Sequence, residues 1–185
     1  ISSTISNTIE LGHQVIAGNT VFIGSSPKTN SNIGLAVVYT KDFLGTIVFK
    51  QILSPNTANA ISFGSSMAMS QDDQWLYVGA PAEDKVFAYQ YKSNISSDVD
   101  TITADGITTS YALAFTPESA LNLFVSNSSL SVVRNLVPYV DYDVSGSDIV
   151  FTSAPAAGTI VIRQYPGYVL ANVITSSTAN IRFGE

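Results

Sequence analysis

The 185-residue chain contains no cysteine, one histidine and one tryptophan. Without cysteine there are no disulfides, no thiol chemistry and no thiolate zinc site. The lone histidine, His13, cannot build a multi-histidine metal centre. Charge is scarce: Asp, Glu, Lys and Arg make up 12% of the residues, about half the share usual in soluble domains. The net charge is −6, and the eight Lys and Arg residues are spread thinly. Nucleic-acid binding needs a basic stripe and anionic membranes attract polybasic patches, so neither partner is expected. No apolar run approaches the ~20 residues of a membrane span. The first residues, ISSTISNTIELG, lack a charged segment followed by an apolar one, so no signal peptide is expected there.

What the chain has is apolar mass, at 45%, diluted by Ser, Thr and Asn throughout. That is enough to bury a core in one mid-sized domain or two small ones. An uncharged polar surface of this kind fits an extracellular or virion location. Strand signals dominate. NTVFIG, GLAVVYT, GTIVFKQIL, QWLYVGA, KVFAYQYK, YALAFT, LNLFVS, DIVFT and GTIVIRQY are short runs rich in Val, Ile, Tyr and Phe, bounded by turn residues. No segment shows a capped 3.6-residue apolar period. The fold class expected is all-β.

The chain also repeats itself. LGHQVIAGNTVFIGSSP (11–27) matches FGSSMAMSQDDQWLYVGAP (63–81) with a two-residue gap. Gly12 falls on Gly64, Gly24 on Gly79 and Pro27 on Pro81, and IGLAVVYTK then matches DKVFAYQYK. STANIRFG, ending at Phe183 and Gly184, echoes NTANAISFG, ending at Phe63 and Gly64. The first interval, from 11 to 63, is 52 residues, close to the roughly 40–50 of one β-propeller blade. The second, from 63 to 183, is 120 residues, a blade plus an insertion. Within a repeat, Phe63 reads as a core anchor and Gly64 as a point of close backbone approach. Residues 66–70 form a strand, 71–74 a turn and 75–78 the return strand, ended by Gly79, Ala80 and Pro81.

Phe63-Gly64 followed by Val78-Gly79-Ala80-Pro81 resembles the FG-GAP repeat, the blade unit of integrin-α-type β-propellers, and Phe22 to Pro27 resembles a degenerate second copy. The likeness covers roughly residues 7–92 and resumes at 176–185. It implies propeller-blade-like antiparallel sheets in which Gly12, Gly24, Pro27, Phe63, Gly64, Gly79, Ala80, Pro81, Phe183 and Gly184 are structural. Many such repeats carry an Asp-rich calcium loop. Here the corresponding turns, SQDDQW and AGN, are too short and lack the alternating carboxylates, so the resemblance is to a metal-free variant.

Composition and pattern shift after Lys92, where SNISSDVDTITADGITTS reads as a polar linker. Phe115-Thr116-Pro117, Asp141 to Gly146 and Phe151 to Pro155 are similar to small β modules of phage tail-fibre and virion proteins. That resemblance implies a β-sandwich-like module. The expected organisation is a blade region at 1–95, the inserted module at 96–170 and the start of a further repeat at 171–185.

Catalytic constellations are thin. His13 reads as a turn or surface residue. Ser25-Ser26-Pro27-Lys28 spells a Ser-x-x-Lys motif, but in a blade loop. The carboxylate pairs Asp72/Asp73, Glu83/Asp84, Asp98/Asp100 and Asp141/Asp143 read as solvated turns, because glycosidase chemistry needs two carboxyls facing across a cleft. Asp98, Asp100 and Asp105 are the best-placed oxygen ligands for a cation, yet no metal or cofactor is expected. Asn94 and Asn127 spell glycosylation acceptors that chance explains in so Asn- and Ser-rich a chain. Tyr165-Pro166-Gly167-Tyr168 is the expected exposed aromatic loop, making Tyr165 and Tyr168 the candidate binding residues. The remaining aromatics read as sheet packing. The function expected is non-enzymatic, in a structural or assembly protein of an extracellular or virion fibre. The chain begins and ends mid-repeat, so its partners are either adjoining repeats of a longer polypeptide or further copies of itself, joined head to tail by strand-edge contacts. The alternative is a surface module that binds a cell-surface glycan or a receptor.

Overall fold

The computed structural model describes residues 10–29, 32–55, 62–94, 99–117, 124–127, 142–164 and 166–177, with 124–127 described as backbone. The described chain is all-β, in four antiparallel sheets. The first sheet is a meander of β1 (Val15–Ala17), β2 (Val21–Ser26), β3 (Leu35–Lys41) and β4 (Ile47–Leu53), in that spatial order. The second begins in the same way with β5 (Ser66–Met69), β6 (Trp75–Ala80) and β7 (Lys85–Lys92). Its fourth strand is β14 (Gly167–Thr175), which pairs with β7 from Lys92↔Gly167 to Lys85↔Thr175.

Between β7 and β14 lie two three-stranded sheets. One orders β10 (Phe124–Asn127), β13 (Gly158–Arg163) and β8 (Val99–Ala104). The other orders β11 (Tyr142–Ser145), β12 (Asp148–Phe151) and β9 (Ser110–Ala112). Both sheets feed one core, in which Ile160 and Ile162 of β13 meet Tyr142, Ile149 and Phe151 of β11 and β12. This is the face-to-face arrangement of a small sandwich. Ser145 pairs with Asp148 across the expected Gly146 turn.

Two strands differ from the sequence reading. β8 lies inside the stretch taken as a polar linker. It alternates exposed Val99, Thr101 and Thr103 with less exposed Asp100, Ile102 and Ala104. An edge strand with one solvated face needs only a few apolar residues. β14 spans the expected module boundary at 170, because residues on both sides of that position pair with β7.

The two four-stranded sheets stack face to face. Their shared core joins Val21, Ile23, Ala36, Val38 and Leu53 of the first to Leu76, Val78, Phe87, Tyr89 and Tyr168 of the second. The opposite face of the first sheet carries its own cluster of Leu35, Val37, Tyr39 and Ile52, with Leu11, Phe22, Ile47 and Phe49 packed against it. β3 is therefore apolar on both faces, which explains why its sequence runs LAVVY without alternation.

Candidate functional site

The feature with the most built-in chemistry is the junction between the stacked sheets. The face of the first sheet that meets the second is its front, and the opposite face is its back. Backbone register maps one sheet on the other. The Gly12 amide donates to the Ser25 carbonyl (2.8 Å) and the Gly64 amide donates to the Gly79 carbonyl (2.9 Å). Ser25, and not Gly24, is thus the counterpart of Gly79, which puts this position in step with the match of Pro27 to Pro81. A Cβ on Gly24 would meet nothing closer than Leu11 at 3.8 Å, so that position makes no steric demand for glycine. Each sheet has one bulge in its fourth strand, at Lys50 between Phe49 and Gln51, and at Ala171 between Leu170 and Asn172. Ladder pairing then matches Val21 with Trp75, Ile23 with Tyr77, Val38 with Ala88, Tyr39 with Tyr89, Gln51 with Asn172 and Leu53 with Ile174.

With this mapping the stack has a direction. The front of the first sheet (Val21, Ile23, Val38, Leu53) meets the back of the second (Leu76, Val78, Phe87, Tyr89). Phe63 is the wedge between them. It is fully buried and sits edge-on to Phe87 (5.3 Å) and Tyr89 (6.3 Å). Its amide donates to the Ile33 carbonyl (3.0 Å), and Gly34 forms a parallel bridge to it. Gly34 has φ +89°, and a Cβ there would lie 2.1 Å from the Phe63 carbonyl oxygen. Gly64 has φ +92°, and a Cβ there would lie 2.8 Å from the Ser25 Cβ. Both positions need glycine for backbone conformation and for space.

Four side chains add polar stitches. The Gln51 amide brackets the backbone of Tyr168: its Nε2 donates to the Tyr168 carbonyl (2.8 Å), and its Oε1 accepts from the Tyr168 amide (2.9 Å). The Tyr89 hydroxyl donates to the Ser54 carbonyl (3.1 Å). Asp73, buried and left-handed at φ 58°, accepts from the Asn19 amide (3.2 Å) and the Thr20 amide (3.1 Å) in the β1–β2 turn. The Tyr168 hydroxyl donates to the Asp73 carbonyl (2.7 Å). Burial pushes the Tyr168 phenol well above the usual tyrosine range, with the Asp73 charge adding to the shift.

Tyr168 corrects the sequence reading. The sequence places it in an exposed loop, but it is 1% exposed and belongs to the core of the stack. Strand pairing with Tyr91 and the ring contact between the two residues (5.4 Å) draw it in. Its partner in that expectation, Tyr165, lies outside the described residues, as do Phe183 and Gly184. Gln51, Asp73 and Gly34 do not stand out in the sequence as parts of a site. The one signal for Gln51 is a polar pair, Lys50-Gln51, breaking an apolar strand.

The other candidates are engaged locally. Lys28 pairs with Glu10 (2.6 Å), and the buried Ser25 hydroxyl accepts from the Gln14 amide (3.1 Å), so each half of the Ser-x-x-Lys spelling has its own partner. His13 is exposed and lies 4.0 Å from Glu10. Asp72 accepts from the Ser70 hydroxyl and the Gln74 amide, and the hydroxyl bond leads in lowering its carboxyl below the usual range. Asp105 accepts from the Thr108 hydroxyl and the amides of Thr108 and Ile107, which hold its carboxyl far below that range. Asp100 accepts from the Thr101 and Ala114 amides. Asp98 and Asp141 fall outside the described residues. Among the described residues no group of three His, Cys, Asp or Glu side chains is placed to hold a metal ion, and no helix is long and apolar enough to cross a membrane.

No family model, curated protein or solved structure matches the chain.

Proposed function

We propose that this chain is a non-enzymatic structural protein of an extracellular or virion fibre, in which FG-GAP-like blades carry an inserted tail-fibre-like β module. One observation supports the reading above the rest: the two four-stranded sheets stack with a fixed direction, front to back, using matched positions. A stack of that kind is extended by adding units, and its work is spacing and assembly. The inserted sandwich enters between the third and fourth strands of the second sheet, whose β14–β7 ladder is nevertheless formed. Immunogold labelling with an antibody raised against the purified chain tests this in the source organism. Label along surface or virion fibres is expected. Label confined to a soluble intracellular fraction overturns the reading.

A second reading, adhesion to glycan, draws on Trp75 and Tyr77. Their rings lie nearly parallel (15°, centroids 6.4 Å apart) on the front of the second sheet, and flat aromatic surfaces of this kind suit stacking on sugar rings. A glycan array signal lost in Trp75→Ala supports adhesion. An array without signal removes it.

A further inference from the structure

The geometry points to the turn between β3 and β4 as a lipid-contacting tip, which dips Phe43 and Leu44 into the surface of a zwitterionic phospholipid layer. The inference goes beyond the fibre reading and does not rest on it. Phe43 is 95% exposed and Leu44 75%, and Phe43 is the most exposed large apolar residue among the described residues. Neither side chain adds burial to the fold, so packing does not explain them. Turn chemistry does not explain them either. The Gly45 amide donates to the Asp42 carbonyl (3.0 Å), which closes a four-residue turn. Such a turn favours Asp at its first position and Gly at its fourth, and accepts most residues between them. Asp42 and Gly45 meet that demand, and the two free positions are spent on large apolar side chains aimed at solvent.

The tip is held in place from below. Asp42 Oδ1 accepts from the Leu44 amide (2.9 Å) and the Thr46 amide (2.8 Å), and the Asp42 amide donates to the Thr46 carbonyl (2.9 Å). The amides of Leu44, Gly45 and Thr46 thus have partners inside the turn, and can leave water for a medium that offers none. Charge selects the layer. From 41 to 47 the only charged residues are Lys41 and Asp42, so the tip is neutral. A Cβ on Gly45 would lie 3.4 Å from the Lys41 Cε. The Lys41 stem therefore lies along the turn, and its ammonium can reach lipid phosphate as long basic side chains do at interfaces. A neutral tip on a chain of net charge −6 suits a zwitterionic surface, whereas an anionic one repels the rest of the chain. The other strongly exposed apolar turn residue, Ile107 (82%), has neither feature: it lies between Gly106 and Thr108, and no Lys or Arg occurs from 99 to 117. Two inserted side chains carry less apolar surface than a myristoyl chain, which alone binds at about 0.1 mM lipid. Partitioning is therefore expected at millimolar lipid.

Flotation of the full-length chain with phosphatidylcholine vesicles at millimolar lipid tests this. Wild type is expected to float with the vesicles, and to bind phosphatidylglycerol vesicles more weakly. The double variant Phe43→Ser, Leu44→Ser should lose at least tenfold in partitioning, while Ile107→Ser should partition as wild type does. Phe43→Trp gives a second readout that needs no disruptive change. Its added fluorescence, taken as the difference from wild type with its single Trp75, should be quenched by brominated phosphatidylcholine. A wild type that does not float, flotation that survives in the double variant or falls equally in Ile107→Ser, tighter binding to phosphatidylglycerol, or an unquenched Phe43→Trp overturns the proposal. Self-association that is lost in the double variant, without flotation, also overturns it and gives the tip to a second copy of the chain. Any of these results leaves the immunogold test of the fibre reading standing on its own.

Discussion

The first and second sheets are built to one plan and completed in two ways. The first closes with β4, which comes after β3 and a short turn. The second closes with β14, which arrives after a whole sandwich has been inserted. Both fourth strands nevertheless carry a bulge at the same ladder position, followed by an amide side chain, Gln51 in one and Asn172 in the other. Strand placement here is governed by register and face chemistry, not by nearness along the chain. The lasting difference between the sheets is at matched positions of the front: Ile23 and Leu53 are buried, while Tyr77 and Ile174 are exposed.

Phe63→Ala attacks what the two sheets share, and should cost about 3–5 kcal/mol, as for other buried Phe truncations. Urea melts check it, and the matched Leu11→Ala should cost clearly less, because Leu11 is only partly buried. Gln51→Ala leaves both backbone groups of Tyr168 without their partners, and should cost about 1–3 kcal/mol for each buried group left unsatisfied. Asn172→Ala, the same change at the exposed counterpart, should stay within about 0.5 kcal/mol in a monomeric sample. Equal losses in the Gln51 and Asn172 variants would erase the distinction between the fronts. Asp73→Ala removes the acceptor for the Asn19 and Thr20 amides, and should cost about 1–2 kcal/mol, with amide exchange accelerated at those two residues. The smallest effect concerns pH. The folded pKa of Asp105 is depressed, so the order it gives the 105–108 turn is complete above the ordinary aspartate range and is lost only as pH falls toward the folded value. Carboxyl NMR should show Asp105 titrating below the ordinary aspartate range.

Much of this plan is readable from sequence. The 11–63 spacing marks the two sheets, Phe63-Gly64 marks the wedge, and the shift in pattern after Lys92 marks the insertion. The strongly apolar strands from β2 to β7 announce themselves because burial on one or both faces leaves little room for polar residues. β8 does not, since an edge strand tolerates threonine and aspartate on its solvent side. Tyr168 is misplaced by sequence because Tyr-Pro-Gly-Tyr looks like a turn, and only its pairing with β7 makes its second half the start of a strand. The polar stitches are hidden for a different reason. Gln51 and Asp73 act on backbone groups more than fifty residues away, and no local pattern records a partner at that distance.

The ends of the insertion have a further consequence. Val99, the first residue of β8, pairs with Arg163, the last residue of β13. Once the sandwich has folded, its two ends are held side by side, and Lys92 and Gly167 are tethered within a few residues of each other. Completing the second sheet then no longer requires closing a long, loose loop. Shortening the effective loop roughly eightfold lowers the closure entropy by about 2 kcal/mol. The sandwich should therefore act as a folding clamp, forming first and delivering β14 to β7. Mutations in its core, at Ile149 or Ile160, should slow the appearance of native Tyr168 fluorescence during refolding, although neither residue belongs to the core that surrounds that tyrosine.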